Sequence, residues 1–279
     1  AEQVRVWRET CVAPGWAHSR WRQNHTAAQV ALGNLELNDA QDEAAARQWY
    51  QLAIDTDDNP DAMYNLGTLL AGERPDEARS LFERAACHGD LSAKFWLGYA
   101  FCQGDASVGV SPDREKALQY LTEAADGGHS GAQDFLSTLY FEGHEALRIP
   151  PDAEKRQHYL QLAAEGGHPR ALFDLGECYL KGLDGYSVDA AKALSLLSEA
   201  GEKGSPEAFV TLGAMHYHGI GVVKDPTIAF DLYQRAGELG SVEAWENVAA
   251  MYATGEGVPQ SAESARLIAK HVASLKAGK

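Results

Sequence analysis

Seven times along 279 residues, a short apolar segment returns with a small residue placed directly after a leucine or valine. The copies read AMYNLGTLLAG from Ala62, AKFWLGYAFCQG from Ala93, AQDFLSTLYFEG from Ala132, ALFDLGECYLKG from Ala171, AFVTLGAMHYHG from Ala208 and AWENVAAMYATG from Ala244. A less regular first copy, AAQVALGNLEL, starts at Ala27. Aligned on the small residue, the anchors are Gly33, Gly67, Gly98, Ser137, Gly176, Gly213 and Ala249, at intervals of 34, 31, 39, 39, 37 and 36. A period of this length is that of one supersecondary unit, and such a unit cannot bury its apolar face alone. Stacked copies share a continuous core, so the chain is constrained to be an array rather than a single closed bundle.

After each anchor a second helical stretch closes on two small residues: Ala85 and Ala86, Ala124 and Ala125, Ala163 and Ala164, Ala200 and Gly201, Ala236 and Gly237. Small side chains at fixed helical positions let two helices approach closely. Each pair is followed by a glycine-containing stop such as DGGHS, EGGHP or EKGSP, where a helix needs a left-handed cap. The predicted unit is therefore helix, loop, helix, glycine turn.

The sixth copy, AFVTLGAMHYHGIGVVKDPTIAFDLYQRAGELGS, resembles the SEL-like (suppressor-enhancer-of-lin) repeat, a longer-looped branch of the tetratricopeptide-repeat superfamily. The resemblance runs from about Ala27 to His271. The second copy, with the short loop GERPDEA, is closer to a plain tetratricopeptide unit, the fourth has Ser137 at the glycine, and the first has Glu36 where an aromatic is usual. The resemblance implies an all-α fold, a right-handed superhelical solenoid of about seven helix-turn-helix repeats. Residues 26–260 form the solenoid, residues 1–25, with Trp7, Trp16 and Trp21 among arginines, are read as an N-terminal cap with a turn at Pro14 and Gly15, and residues 261–279 as a C-terminal capping helix and tail. A Trp-Arg recognition arm is the alternative for the first segment.

The net charge of −16 disfavours nucleic acid and anionic membrane surfaces as partners, and no run of eighteen apolar residues is present to span a bilayer. The excess is uneven: residues 26–90 hold thirteen acids against four arginines, a polarity that fits a partner with a basic patch. Cys11, Cys87, Cys102 and Cys178 form no CxxC pair, so neither zinc nor a disulfide framework is expected, and buried free thiols are favoured over a Cys87 to Cys102 bridge. The non-Met first residue, Ala1, fits an exported chain, and a periplasmic or otherwise exported location is expected, with the cytoplasm as the alternative.

Catalytic signatures are missing. GIGVVK at Gly219 lacks a preceding strand and the third glycine of a dinucleotide loop, and HEALR at His144 has Arg148 where a zinc helix needs its second histidine. No GxSxG elbow, P-loop or SxxK pair occurs. His88, His129 and His168 are read as recurring at one repeat position beside glycine turns, with a shared job of capping helix ends or packing the loop, and His216 and His218, two apart on a helix, make a poor chelate. No cofactor, metal or catalytic residue is assigned, and the chain is read as a non-enzyme.

From the tetratricopeptide resemblance, the first helix of each unit lines the concave side. The positions that face it are Asp61, Tyr64, Phe95, Tyr99, Asp134, Phe141, Phe173, Glu177, Leu180, Tyr217 and Glu246, joined by Glu207, Val210 and Glu243. Exposed aromatics with an acidic rim are the composition of a binding surface, although Phe95 and Phe173 have the alternative of packing on the neighbouring unit. Tyr140, Tyr179 and Tyr252, three beyond their anchors, are expected in the core. The resemblance implies a protein-binding module, and among proteins of this repeat type are immunity proteins that neutralise type VI secreted lipase effectors. The expected role is such neutralisation of a partner protein, with a cell-envelope adaptor or regulator as the alternative and a penicillin-binding or hydrolase-like activity as a remote one.

Overall fold

A computed structural model describes the backbone of residues 19–277 and the side chains of residues 25–277. The expectations for Trp7, Trp16, the Trp21 side chain, Pro14, Gly15 and Cys11 lie outside these residues. Among the described residues there are fourteen α-helices and no strand. They alternate as first and second helices of seven pairs. These are α1 (Ser19–Asn38) with α2 (Glu43–Asp57), α3 (Pro60–Leu70) with α4 (Pro75–Cys87), and α5 (Leu91–Gln103) with α6 (Arg114–Asp126). Next come α7 (Ser130–Glu142) with α8 (Ala153–Glu165), α9 (Pro169–Lys181) with α10 (Ala190–Glu202), α11 (Pro206–His218) with α12 (Pro226–Glu238), and α13 (Val242–Thr254) with α14 (Ala262–Ala277). Helix α1 begins at Ser19 and so crosses the boundary expected at residue 25, because no proline interrupts the stretch that follows. Helix α14 packs on α13 as α12 packs on α11, so it is the second helix of the seventh pair as well as the end of the described chain.

The chain divides into two compact units, residues 1–132 with 143–150, and residues 133–142 with 151–279. In the first, α1 to α6 pack in sequence order, and in the second α8 to α14 do the same, the solenoid pattern of neighbour against neighbour. One core cluster of the second unit shows why no repeat folds alone. Leu160 of α8, Leu172 and Leu175 of α9, Leu197 of α10, and Leu212 and Met215 of α11 close a single apolar volume drawn from three repeats. Burying each of these side chains is worth about 1.5–3 kcal/mol, and that gain exists only once the neighbours are in place.

The anchors allow this packing. A Cβ placed on Gly98 would lie 2.7 Å from Leu121 Cγ and 2.9 Å from the Leu121 backbone nitrogen. At Gly176 it would meet Leu197 Cγ at 2.9 Å, and at Gly213 the Tyr233 ring at 2.6 Å. The second helices share one register around these partners. Four residues earlier stand Ala46, Ala78, Ala117, Ala193 and Ala229, and three residues later Ala53, Ala85, Ala124, Ala200 and Ala236, all fully buried.

The paired small residues also build the turn between repeats. The N–H groups of Asp90, His129, His168, Ser205 and Ser241 donate to the carbonyls of Ala85, Ala124, Ala163, Ala200 and Ala236 at 2.9–3.0 Å. This six-to-one bond of the Schellman motif requires a left-handed residue just before the donor, and Gly89 supplies it with φ +91°. The donor then becomes the N-cap of the next first helix. Asp90 accepts from Ala93 N, His129 Nδ1 from Ala132 N at 3.0 Å, and Ser241 from Ala244 N at 3.2 Å. His88 does not share that position, contrary to the sequence expectation, although it too stands at a helix end. It lies two residues earlier, at the C-cap of α4, with Nδ1 2.9 Å from the Arg84 carbonyl oxygen, because the N-cap of that repeat is Asp90.

A second repeated bond fixes the loop inside each repeat. The N–H groups of Asp113, Asp152, Asp189, Asp225 and Ser261 donate to the carbonyls of Phe101, Tyr140, Tyr179, His216 and Tyr252 at 2.8–2.9 Å. In three repeats a lysine of the following helix then covers the aromatic ring: Lys116 over Phe101, Lys155 over Tyr140 and Lys192 over Tyr179, at 4.9, 4.8 and 4.3 Å from the centroids. Of the three tyrosines expected in the core, Tyr140 is buried, whereas Tyr179 and Tyr252 are only partly so. Tyr179 reaches the repeat edge, where its hydroxyl accepts from Lys192 Nζ at 2.7 Å.

Gly176→Val and Gly213→Val are each expected to destabilise the fold by about 1–3 kcal/mol or more through overpacking against Leu197 and Tyr233. Chemical denaturation followed by circular dichroism should show a lowered midpoint. The control Gly89→Ala meets open space and carries only the strain of its positive φ, about 1 kcal/mol.

Candidate partner-binding face

The residues expected to face a partner lie on the first helices, and the structure treats them unequally. In the first unit, Asp61 is exposed near the start of α3, and Tyr64, one turn later, sits half-buried with its ring edge on Phe82, centroids 5.6 Å apart. On α5, Phe95 is half-buried and stacks on His129 at 4.9 Å, while Tyr99 is 45% exposed. Asp90 joins this group. Burial and the neighbouring Asp61 carboxylate hold its carboxyl above the usual range, and Asp90 adds to the burial that pushes the Tyr64 hydroxyl up. An aromatic shelf with two mutually repelling carboxylates therefore occupies this part of the first unit.

In the second unit, Phe141 is 55% exposed and carries the Arg156 guanidinium over its ring, 3.8 Å from the centroid. Phe173 and Leu180 are half-buried against the cluster that includes Leu175 and Leu212, which gives them a packing role. Asp134 is 8% exposed, with Oδ1 3.5 Å from His168 Nδ1, so it is enclosed rather than displayed. Glu177 pairs with Lys181, and Glu246 with Lys276 at 2.5 Å. Tyr217 donates its hydroxyl to Glu256, and Val210 packs on the cluster of Phe230 and Val248. Glu207 accepts from Ser205 Oγ at 3.0 Å, and Glu243 is exposed.

Several residues beside these positions were missed in the sequence. Arg156 replaces the small residue that Ala117 and Ala193 supply in neighbouring second helices, and its guanidinium reaches Asp184 at 2.8 Å. The break in the alanine register was a readable signal of its special place. Asp184 also accepts from Cys178 Sγ at 3.3 Å. Burial first, then that carboxylate, push the Cys178 thiol up to about 11. Cys178 and Cys102 are buried and free, and Cys87 is exposed and free. Among the described residues, no three His, Cys, Asp or Glu gather as a metal ion would need, and no helix is long and apolar enough to cross a membrane. GIGVVK forms the loop between α11 and α12.

Asp174 on α9 was a further omission. Burial is the main reason its carboxyl stays above the usual range. Arg170 and Arg156 oppose the shift, and Asp134 and Glu177 add to it. An acid whose folded pKa is raised binds its proton more tightly when folded, so it detracts from stability above that pKa and ceases to do so as pH falls toward the ordinary carboxylate range. Asp174→Asn is therefore expected to raise the melting temperature at pH 7, and the difference from the unsubstituted chain should shrink toward pH 4. A melting series across that interval checks the sign.

Comparison with known proteins places this geometry. The Sel1 repeat model matches residues 26–58, 60–90, 91–129, 130–168, 169–205, 212–241 and 244–267. The second to fifth segments begin and end within a few residues of their helix pairs, whereas the first starts seven residues into α1, the sixth starts partway along α11 and the seventh stops ten residues before the end of α14. No curated protein sequence matches the chain. Among solved structures, a protective antigen of uropathogenic Escherichia coli is similar, with 26% identity and a TM-score of 0.70 over 90% of this chain. The chain spans 54% of that protein's length. A Sel1 repeat protein from Oxalobacter formigenes shares the fold at 24% identity and a TM-score of 0.72, over 88% of this chain and 99% of the other. An immunity protein from Pseudomonas aeruginosa is 19% identical, with a TM-score of 0.49, over 79% of this chain and 83% of its own. With seven matched repeats that follow the helix pairs over most of its length, the chain belongs to the Sel1 repeat family.

Proposed function

We propose that this Sel1-repeat protein-interaction module acts without catalysis, by holding a partner protein that presents a basic patch, and that holding it neutralises the partner. The observation that carries the reading is the combination of exposed aromatic rings with carboxylates that repel one another on the first helices. Tyr99 and Phe141 stay largely in solvent although apolar burial would stabilise the chain, and the proton affinity of Asp90 and of Asp174, raised first by burial, is raised further by the neighbouring Asp61 and Asp134 carboxylates. In each unit by itself, a cationic partner would relieve both sources of instability, covering the ring and compensating the carboxylates.

The neutralising role, with a type VI lipase effector as the specific toxin, rests on the resemblance of the repeats to immunity proteins of this repeat type. An exported or periplasmic setting is proposed from the same resemblance and from the likeness to a protein named as a protective antigen. An envelope adaptor is the second reading, favoured by the seven similar first helices, which offer several contact points to more than one protein.

The test uses the chain and a Tyr99→Ala, Phe141→Ala double variant as baits against extract of the native cell at low and high salt. Both side chains are exposed, so the variant should melt within a few degrees of the parent. Loss of the captured partner by the variant, and weaker capture by the parent at high salt, are the expected results. Inhibition of a toxic activity of the captured protein separates neutralisation from adaptor function. Turnover of substrate by the chain itself, removed by a single polar substitution on this face, would overturn the non-catalytic reading.

A further inference from the structure

Where α11, α12 and α13 meet, a cleft of about 190 Å³ opens to solvent. Met251 and Tyr233, both nearly fully buried, contribute to its lining, and Tyr217, His218, Asn247, Ala250 and Thr254 complete it. Its size decides what class of guest it takes. An apolar cavity of about 150 Å³ accommodates a benzene ring, whereas sites for free small molecules usually measure about 300–1,000 Å³. The cleft therefore has room for one large side chain and too little for a metabolite or cofactor.

Its chemistry narrows the guest further. Tyr217 projects from α11 and donates its hydroxyl to Glu256, in the loop after α13, which holds that carboxylate beside the cleft. The Tyr217 ring already attracts a cation from its own chain, Lys224 Nζ, 5.6 Å from the centroid. Burial first, and then Tyr217 and the Glu243 carboxylate, push the buried Tyr233 hydroxyl up to about 12. His218, also in the lining, lies edge-on to Tyr217, with centroids 4.9 Å apart.

We propose that this cleft receives an arginine side chain of the partner protein, its guanidinium stacked on Tyr217 and paired with Glu256. The inference rests on the partner-holding reading above and makes it more specific. A planar, permanently charged guanidinium suits both an aromatic face and a carboxylate, whereas a leucine would leave Glu256 uncompensated and a glutamate would be repelled by it.

The experiment needs no natural partner. The chain has three methionines, Met63, Met215 and Met251, so methyl-labelled protein gives three resolved probes, of which Met251 lines the cleft and Met63 lies in the other unit. N-acetyl-arginine-N-methylamide is titrated to 100 mM, alongside the leucine and glutamate analogues. The expected result is a saturable shift of Met251 with the arginine compound and no shift of Met63. Glu256→Gln, at an exposed position that leaves the fold intact, should weaken binding about fivefold, on the order of one charge-assisted hydrogen bond. Tyr217→Phe, which frees Glu256 but keeps the ring, should weaken it less than Tyr217→Ala. A Met251 signal unmoved by the arginine compound, or moved equally by the leucine compound, would overturn the proposal. Because Tyr99 and Phe141 do not line the cleft, the bait experiment can fail while this one succeeds, and the reverse.

Discussion

The structure depends on the distance between two helix backbones at one point in each repeat that has a glycine anchor. Where Gly98 faces Leu121, Gly176 faces Leu197 and Gly213 faces Tyr233, a single methyl group would fall inside contact distance. That approach brings the second helix close enough for its fully buried alanines to pack. It also sets where the second helix ends, and the end is already committed: the carbonyls of Ala85, Ala124, Ala163, Ala200 and Ala236 accept from the residue that caps the next first helix. One steric requirement is thereby passed from helix pair to helix pair through a hydrogen bond, and the array propagates.

Because the second helices and their small residues are used for stacking, the first helices carry the freedom to vary. Their buried positions are filled by the same short set, such as Ala171, Leu172 and Leu175 on α9, while the adjoining positions hold tyrosines, phenylalanines and acids. A solenoid is suited to protein recognition for this reason: stability resides in contacts that repeat, and specificity in positions that stability leaves unassigned. The fourth repeat departs most from the rule, with Ser137 at the anchor and Arg156 in place of the small residue. There the guanidinium lies over the Phe141 ring and pairs with Asp184 of the following loop.

Partition between packing and display was only partly legible in the residue pattern. Phe173 and Phe141 both occupy first-helix positions assigned to the groove, yet Phe173 packs against the core and Phe141 stands in solvent. The difference arises from what each neighbouring repeat presents, and a repeat pattern averages that away. Asp134 illustrates the same point. Its position is that of a displayed carboxylate, but it is enclosed beside His168, which takes up the N-cap position without making a cap bond. His88 was grouped with His129 and His168 because all three adjoin glycine turns, and two residues of offset separated a C-cap from an N-cap.

The amino-acid sequence alone determined the array: the number of repeats, the helix pairs, the glycine anchors, the small-residue register and the acidic charge all follow from spacing and composition, because local turn chemistry and periodic burial act over short stretches of chain. Only the tertiary structure decided which first-helix residues remain exposed, which carboxylates are close enough to repel, and that Tyr217, Tyr233 and Met251 from three successive helices line one cleft. Those outcomes depend on distances between residues far apart in sequence, and such distances are set by how each repeat settles against its neighbour rather than by any motif within it.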